Sequence, residues 1–162
     1  MVFDVDGVLT DGSLLVGADG DEVKRFHVHD GLGLQLLLEH GIEVAIITAR
    51  ESRAVAARGR ELGLLHVFQG QRDKRACLGA LCDKLGLTFE QVAYTGDDLP
   101  DLAALRNAGL AIAVSNAHAW LDGHVHWKTR MPGGGGAARE VCDLILAAQG
   151  HVAGIVARHS TR

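Results

Sequence analysis

Rings are scarce in this chain. Phe, Trp and Tyr together make up 4% of its 162 residues, and there are only two prolines. A core short of rings must be packed with aliphatic side chains, and few elements can be broken by proline. Cysteine is nearly missing as well: Cys77, Cys82 and Cys142 are an odd number and form no Cys-x-x-Cys pair. That speaks against a disulfide scaffold and is expected of buried thiols in a reducing, cytoplasmic setting. No apolar run approaches the ~18 residues of a membrane helix, so no membrane partner is expected. No basic segment precedes an apolar one at the start, so no signal peptide is expected. A basic excess is also missing. Sixteen Lys and Arg against 20 Asp and Glu leave a net charge of −4, which speaks against a nucleic-acid partner. What is present is 48% hydrophobic residues and 21 glycines, enough for one aliphatic, turn-rich core.

The apolar pattern predicts short buried strands alternating with helices. Strands are expected at 2–5, 44–48, 65–68, 92–95 and 110–114, with a last short one at 125–128. Helices are expected from Asp30-Gly31 to Gly41, and at 52–62, 73–85, 99–107 and 137–149, several of them stopped by glycine. The turn cluster Gly17-Ala18-Asp19-Gly20 between Leu14-Leu15-Val16 and Glu22 to Val28 predicts a β-hairpin after the first strand. Alternation of this kind predicts an α/β fold, a three-layer Rossmann-like parallel sheet covered on both faces. Residues 1–150 are expected to form one domain. Residues 151–162, basic and without clear periodicity, are expected to form a mobile tail.

The chemistry collects at the strand ends. Phe3-Asp4-Val5-Asp6-Gly7 runs an apolar strand into two acids and a turn; the second strand ends in Thr48, followed by Arg50. Lys74 opens a later helix, and the fourth strand ends in Gly96-Asp97-Asp98. In an open parallel sheet these ends converge on one pocket. Crowded carboxylates repel unless a cation sits among them, and a hard ion such as Mg²⁺ prefers oxygen ligands. Asp4, Asp6 through its carbonyl, and Asp97 can supply those oxygens. Asp4 can then attack phosphorus. Asp6 can protonate the leaving oxygen and later activate water. The Thr48 hydroxyl and Lys74 ammonium can hold phosphate oxygens.

These four segments, in this order, resemble the four motifs of the haloacid dehalogenase superfamily of phosphatases. The segments Asp4 to Gly12, Val28-His29-Asp30-Gly31, Val44 to Arg50, Gln69-Gly70, Asp73-Lys74, Tyr94 to Asp98 and Ala137 to Gly150 further resemble the 3-deoxy-D-manno-octulosonate 8-phosphate phosphatases. The resemblance spans nearly all of residues 1–150. It implies a capless core, a homotetrameric ring, Mg²⁺ dependence, and removal of phosphate from an eight-carbon acidic sugar of lipopolysaccharide synthesis. It also implies that Arg50, Arg58 and Lys74 touch substrate. Capless agrees with chain length, since only a hairpin and one helix fit between Asp6 and Thr48. An open site needs cover, and a neighbouring subunit paired through the hairpin Leu14 to Val28 is expected to provide it. The substrate should carry a carboxylate, which suits Arg50 and Arg58, with His27, Val28, His29, Asp30 and Gly31 close by. Three positions depart from the usual pattern: His29 stands where some relatives have Arg, Ala49 where Gly is usual, and Gly135 where Arg can occur.

Other readings are weaker. Asp4 and Asp6 do not open an EF-hand loop, because Val8 occupies the fifth position. Gly133 to Gly136 lacks the Lys-Ser/Thr of a phosphate-binding P-loop and reads as a flexible turn. Asp101 reads as structural, and His118, His124 and His126 as surface residues. A receiver domain would carry its acids, Thr and Lys in a different order. The remaining alternatives are a phosphatase acting on a nine-carbon sialic-type 9-phosphate and an inactive assembly module.

Overall fold

The computed structural model describes residues 1–161. In chain order the elements are β1 (Val2–Phe3), the pair β2 (Leu15–Val16) and β3 (Glu22–Val23), α1 (Val28–Glu39), β4 (Ala45–Ile47), α2 (Arg53–Glu61), β5 (His66–Phe68), α3 (Lys74–Leu85), β6 (Ala93–Gly96), α4 (Leu99–Leu105), β7 (Leu110–Ala113), β8 (Trp127–Lys128), α5 (Ala137–Ala148) and α6 (Val152–Ser160). Six strands form one sheet in the order β5-β4-β1-β6-β7-β8, and every pairing is parallel. β2 and β3 form the separate antiparallel hairpin.

Side chains alternate faces along a strand, and here both faces are apolar. Phe3, Ile46 and Ile112 pack with Leu34, Leu37, Val55, Val141 and Leu146, under α1, α2 and α5. Val2, Ala45, Ile47, Ala111 and Ala113 pack on the other face with Leu78, Leu81, Ala104 and Leu105, under α3 and α4. This is the expected three-layer, Rossmann-like fold. Among the described residues the hairpin is the one excursion from the layers that carries strands, so the core is capless. No single helix among them is long and apolar enough to cross a membrane.

The chain runs outward from β1 to β4 and β5, then returns to β6 on the other side of β1. The strand order therefore reverses beside β1. Ligands of open α/β sheets sit at the carboxyl ends flanking such a reversal, and those ends carry Asp4, Thr48 and Asp97.

Two local expectations need correction. The first strand ends at Phe3, not Val5. The Val5 carbonyl accepts from the N–H groups of Val8, Leu9 and Thr10 at 3.1, 2.9 and 3.0 Å, which turns the backbone out of the sheet immediately after Asp4. The helix expected to open at Asp30-Gly31 opens at Val28. Asp30 serves a different helix, accepting from the Arg139 N–H at 2.8 Å in the first turn of α5. Residues 152–160, in the segment expected as a tail, form the helix α6. Ile155 packs against the core, the His40 and His151 rings lie 4.5 Å apart, and Arg158 reaches Glu39 at 3.4 Å.

Candidate active site

Asp4 lies just past β1, and its N–H is bonded to the Thr95 carbonyl at 3.0 Å, so its position is set by the central strands. The side chain is buried. Lys74, first residue of α3, reaches it at 2.8 Å and reaches Asp101 at 2.7 Å. Asp73 caps that helix by accepting from the Ala76 N–H at 2.9 Å, which fixes where Lys74 starts. Asp101 also accepts from the Tyr94 hydroxyl at 2.8 Å and the Asp97 N–H at 3.1 Å. One buried carboxylate thus ties α3, α4 and β6 together. Asp98 caps α4 through the Leu99 N–H.

Thr48, Ala49, Arg50, Asp6, Asp97, Asp98 and Pro100 join Asp4, Lys74 and Asp101 around one cavity of about 180 Å³. The structure therefore brings together Asp4, Asp6, Thr48, Arg50, Lys74 and Asp97, which sequence reasoning had singled out. Asp4 and Asp6 have different partners, however. Because the chain turns after Asp4, Asp6 faces the hairpin, bonded to Lys24 and 3.7 Å from the Arg50 Nε. Arg50 also pairs with Glu22.

The remaining expected residues line other parts of the surface. His27 and His29, whose rings lie 5.0 Å apart, border a separate cleft of about 680 Å³ with Arg130 and Arg139. Val28 is exposed and Asp30 buried. Arg58 pairs with Glu61 at 2.9 Å and lies over the Phe26 ring. Gly31 leaves space for it, since a Cβ there would stand 2.1 Å from the Arg58 Nη2.

The electrostatics suit a cation. Oxygens of Asp4, Asp97 and Asp101 lie within 4.8 Å of one another. Burial, then Asp101, pushes Asp4 up to about 7 against the pull of Lys74. Burial, then Asp4 and Asp101, pushes Asp97 up to about 8. Burial alone would lower the Lys74 ammonium, but Asp101 and Asp4 raise it above its ordinary value. Acids pushed up in this way are relieved when positive charge enters between them. Gly7, at φ +93°, gives Asp97 room, because a Cβ would fall 2.1 Å from its Oδ2. The donor set is all oxygen, as Mg²⁺ requires, so the carboxylates of Asp4 and Asp97 fit that ion.

Sequence reasoning missed the charged hairpin residues Glu22 and Lys24, whereas Asp101 has the structural role expected of it. The signal for Asp101 was its place one helical turn after Asp97. For the hairpin it was two opposite charges, Glu22 and Lys24, two residues apart and so on one face of a strand.

Comparison with known proteins points the same way. Residues 30–109 match the family model of the haloacid dehalogenase-like hydrolases. The chain is 47% identical over 150 residues to 3-deoxy-D-manno-octulosonate 8-phosphate phosphatase KdsC of Escherichia coli K12, covering 93% of this chain and 80% of the relative. A crystal structure of the same phosphatase from Moraxella catarrhalis, in complex with magnesium ion, phosphate ion and KDO, has a TM-score of 0.95 at 47% identity, covering 98% of this chain and 91% of that one. The cobalt-bound phosphatase of Haemophilus influenzae has a TM-score of 0.89 at 42% identity, covering 92% and 87%.

Proposed function

Because this chain belongs to the haloacid dehalogenase-like hydrolases, in the family of the 3-deoxy-D-manno-octulosonate 8-phosphate phosphatases, we propose that it hydrolyses that sugar phosphate to the free sugar acid and phosphate, with Mg²⁺ as cofactor. The carrying observation is the buried Asp4 held by Lys74 at the floor of a small acid-rimmed cavity. Lys74 occupies Asp4 Oδ1, which leaves the other oxygen to attack phosphorus. As the Asp4–phosphorus bond forms, the phosphorus–sugar bond breaks and the sugar oxygen takes a proton from Asp6. Water then attacks the aspartyl-phosphate, Asp6 takes its proton, and phosphate leaves with Asp4 restored. Thr48 and Lys74 hold the phosphate oxygens throughout. When bound at Asp4, Asp6 and Asp97, Mg²⁺ offsets the charge of the phosphate and of these acids.

The sugar carboxylate is assigned to Arg50 at the rim. The segment His27 to Gly31 and Arg58 are assigned to sugar binding in an assembled homotetramer. Leu14, Leu15, Val16 and Val23 of the hairpin are exposed apolar side chains, a surface suited to pairing with a neighbour's hairpin. Free Cys77, Cys82 and Cys142 fit a cytoplasmic setting and a place in lipopolysaccharide synthesis. The relatives named above act on the eight-carbon sugar, which does not favour the nine-carbon alternative. An inactive assembly module would not need every motif side chain in one cavity. Phosphate release from a panel of eight- and nine-carbon acidic sugar phosphates with Mg²⁺ tests the reading. Preference for 3-deoxy-D-manno-octulosonate 8-phosphate is expected. Preference for a nine-carbon 9-phosphate would move the substrate, and no release would remove the function.

A further inference from the structure

The hairpin does more than offer an apolar face. Lys24, just past β3, has a side chain only 2% exposed. A lysine this buried is costly unless its charge is met. It is met on two sides: the ammonium is bonded to Asp6 Oδ1 and lies 2.8 Å from Glu22 Oε1. Glu22 is in turn bonded to Arg50, whose Nε stands 3.7 Å from Asp6 Oδ2. Asp6, Lys24, Glu22 and Arg50 therefore close a ring of alternating charge at the cavity mouth. Within it the two Asp6 oxygens are unequal. Oδ1 accepts from an ammonium, a group with donors and no acceptor. Oδ2 has Arg50 beyond hydrogen-bond reach.

Resting on the phosphatase reading above, we propose that Lys24 is the positioning residue for Asp6. Its ammonium holds Oδ1 toward the hairpin and so reserves Oδ2 for the proton that passes to the sugar oxygen. Glu22 fixes Lys24 from behind. Nothing in the four motif segments contains either residue; the hairpin brings both to the site. A residue acting this way matters in proportion to the leaving group's need for a proton. A sugar alkoxide cannot leave unprotonated, whereas p-nitrophenolate can, so kcat/KM for the two esters separates positioning from scaffolding.

The experiment compares wild type, Lys24→Met and Lys24→Arg on 3-deoxy-D-manno-octulosonate 8-phosphate and on p-nitrophenyl phosphate, both with Mg²⁺. For Lys24→Met, kcat/KM on the sugar phosphate should fall about 10–100-fold, and on the nitrophenyl ester only about threefold. Lys24→Arg, which keeps the charge and donors, should recover most of the sugar-phosphate loss. Equal losses on both esters would overturn the proposal, since a damaged scaffold spares neither. Loss on neither ester would overturn it too. A wild type inactive on both esters would overturn the phosphatase reading, and the Lys24 role with it.

Discussion

Lys74 sits between two acids, 2.8 Å from Asp4 and 2.7 Å from Asp101, and the consequences differ by partner. Asp101 is fully enclosed and also receives the Tyr94 hydroxyl and the Asp97 N–H. Removing it strands two donors and leaves Lys74 with Asp4 alone. Asp101→Ala should therefore cost about 3–5 kcal/mol, read as a fall in thermal midpoint of about 10 °C. Asp97 behaves oppositely. Its carboxyl is pushed up to about 8 by burial and by the acids beside it. The folded chain thus keeps a proton that the unfolded chain loses near pH 4, and stability should fall as pH rises from about 4 to about 8. In chelator, Asp97→Asn should remove that share of the slope. It should raise the midpoint by about 2–4 °C at pH 8, with the gain vanishing near pH 4. Calorimetry across that pH range checks the sign. At this scale the sequence was readable where residue type and order sufficed, as for Asp4, Thr48, Lys74 and Asp97. It was not readable for Lys24, whose role depends on a hairpin folding back to Asp6. Nor was it readable for Asp30, whose place as a helix opener was overridden by a bond to Arg139 far along the chain.

Among the elements, the strand and helix alternation was legible because both faces of every central strand are apolar. Boundaries were less so: β1 stops at Phe3 because three N–H groups converge on the Val5 carbonyl, a turn that periodicity does not show. The spacing of Val152, Ile155 and Val156 was helical, but too short a pattern to stand out before α6 was seen docking on α1 through Arg158 and Glu39. The glycine run, expected as a flexible turn, is a packing device. A Cβ on Gly133 would lie 1.7 Å from the Gly7 carbonyl oxygen, and one on Gly134 would lie 2.4 Å from the Asp11 nitrogen. Gly133→Ala should destabilise by about 3 kcal/mol and, by displacing Gly7 beside Asp97, lower activity as well. Gly154 in α6 is the contrast: nothing lies within 4 Å of its Cβ position. Gly154→Ala should strengthen that helix by about 1 kcal/mol, seen as slower amide exchange across 152–160.

At the scale of the whole molecule, the shortness of the excursions from the core leaves the cavity mouth guarded by charge rather than by a lid. The hairpin has two faces, with Lys24 and Glu22 turned to Asp6 and Arg50, and Leu15 and Val23 left exposed. Val23→Glu should convert the proposed homotetramer to monomers, measured by light scattering against the 17.2 kDa of one chain, and should weaken sugar-phosphate binding while leaving the fold intact. The proposed mechanism turns on Asp4 carrying the phosphoryl group. The most direct test is to quench turnover of substrate labelled on phosphorus with acid, then map the label. An acid-stable, hydroxylamine-labile label is expected on Asp4 and none on Asp4→Asn. Turnover with no label on the chain, or a label that survives in Asp4→Asn, would contradict the mechanism.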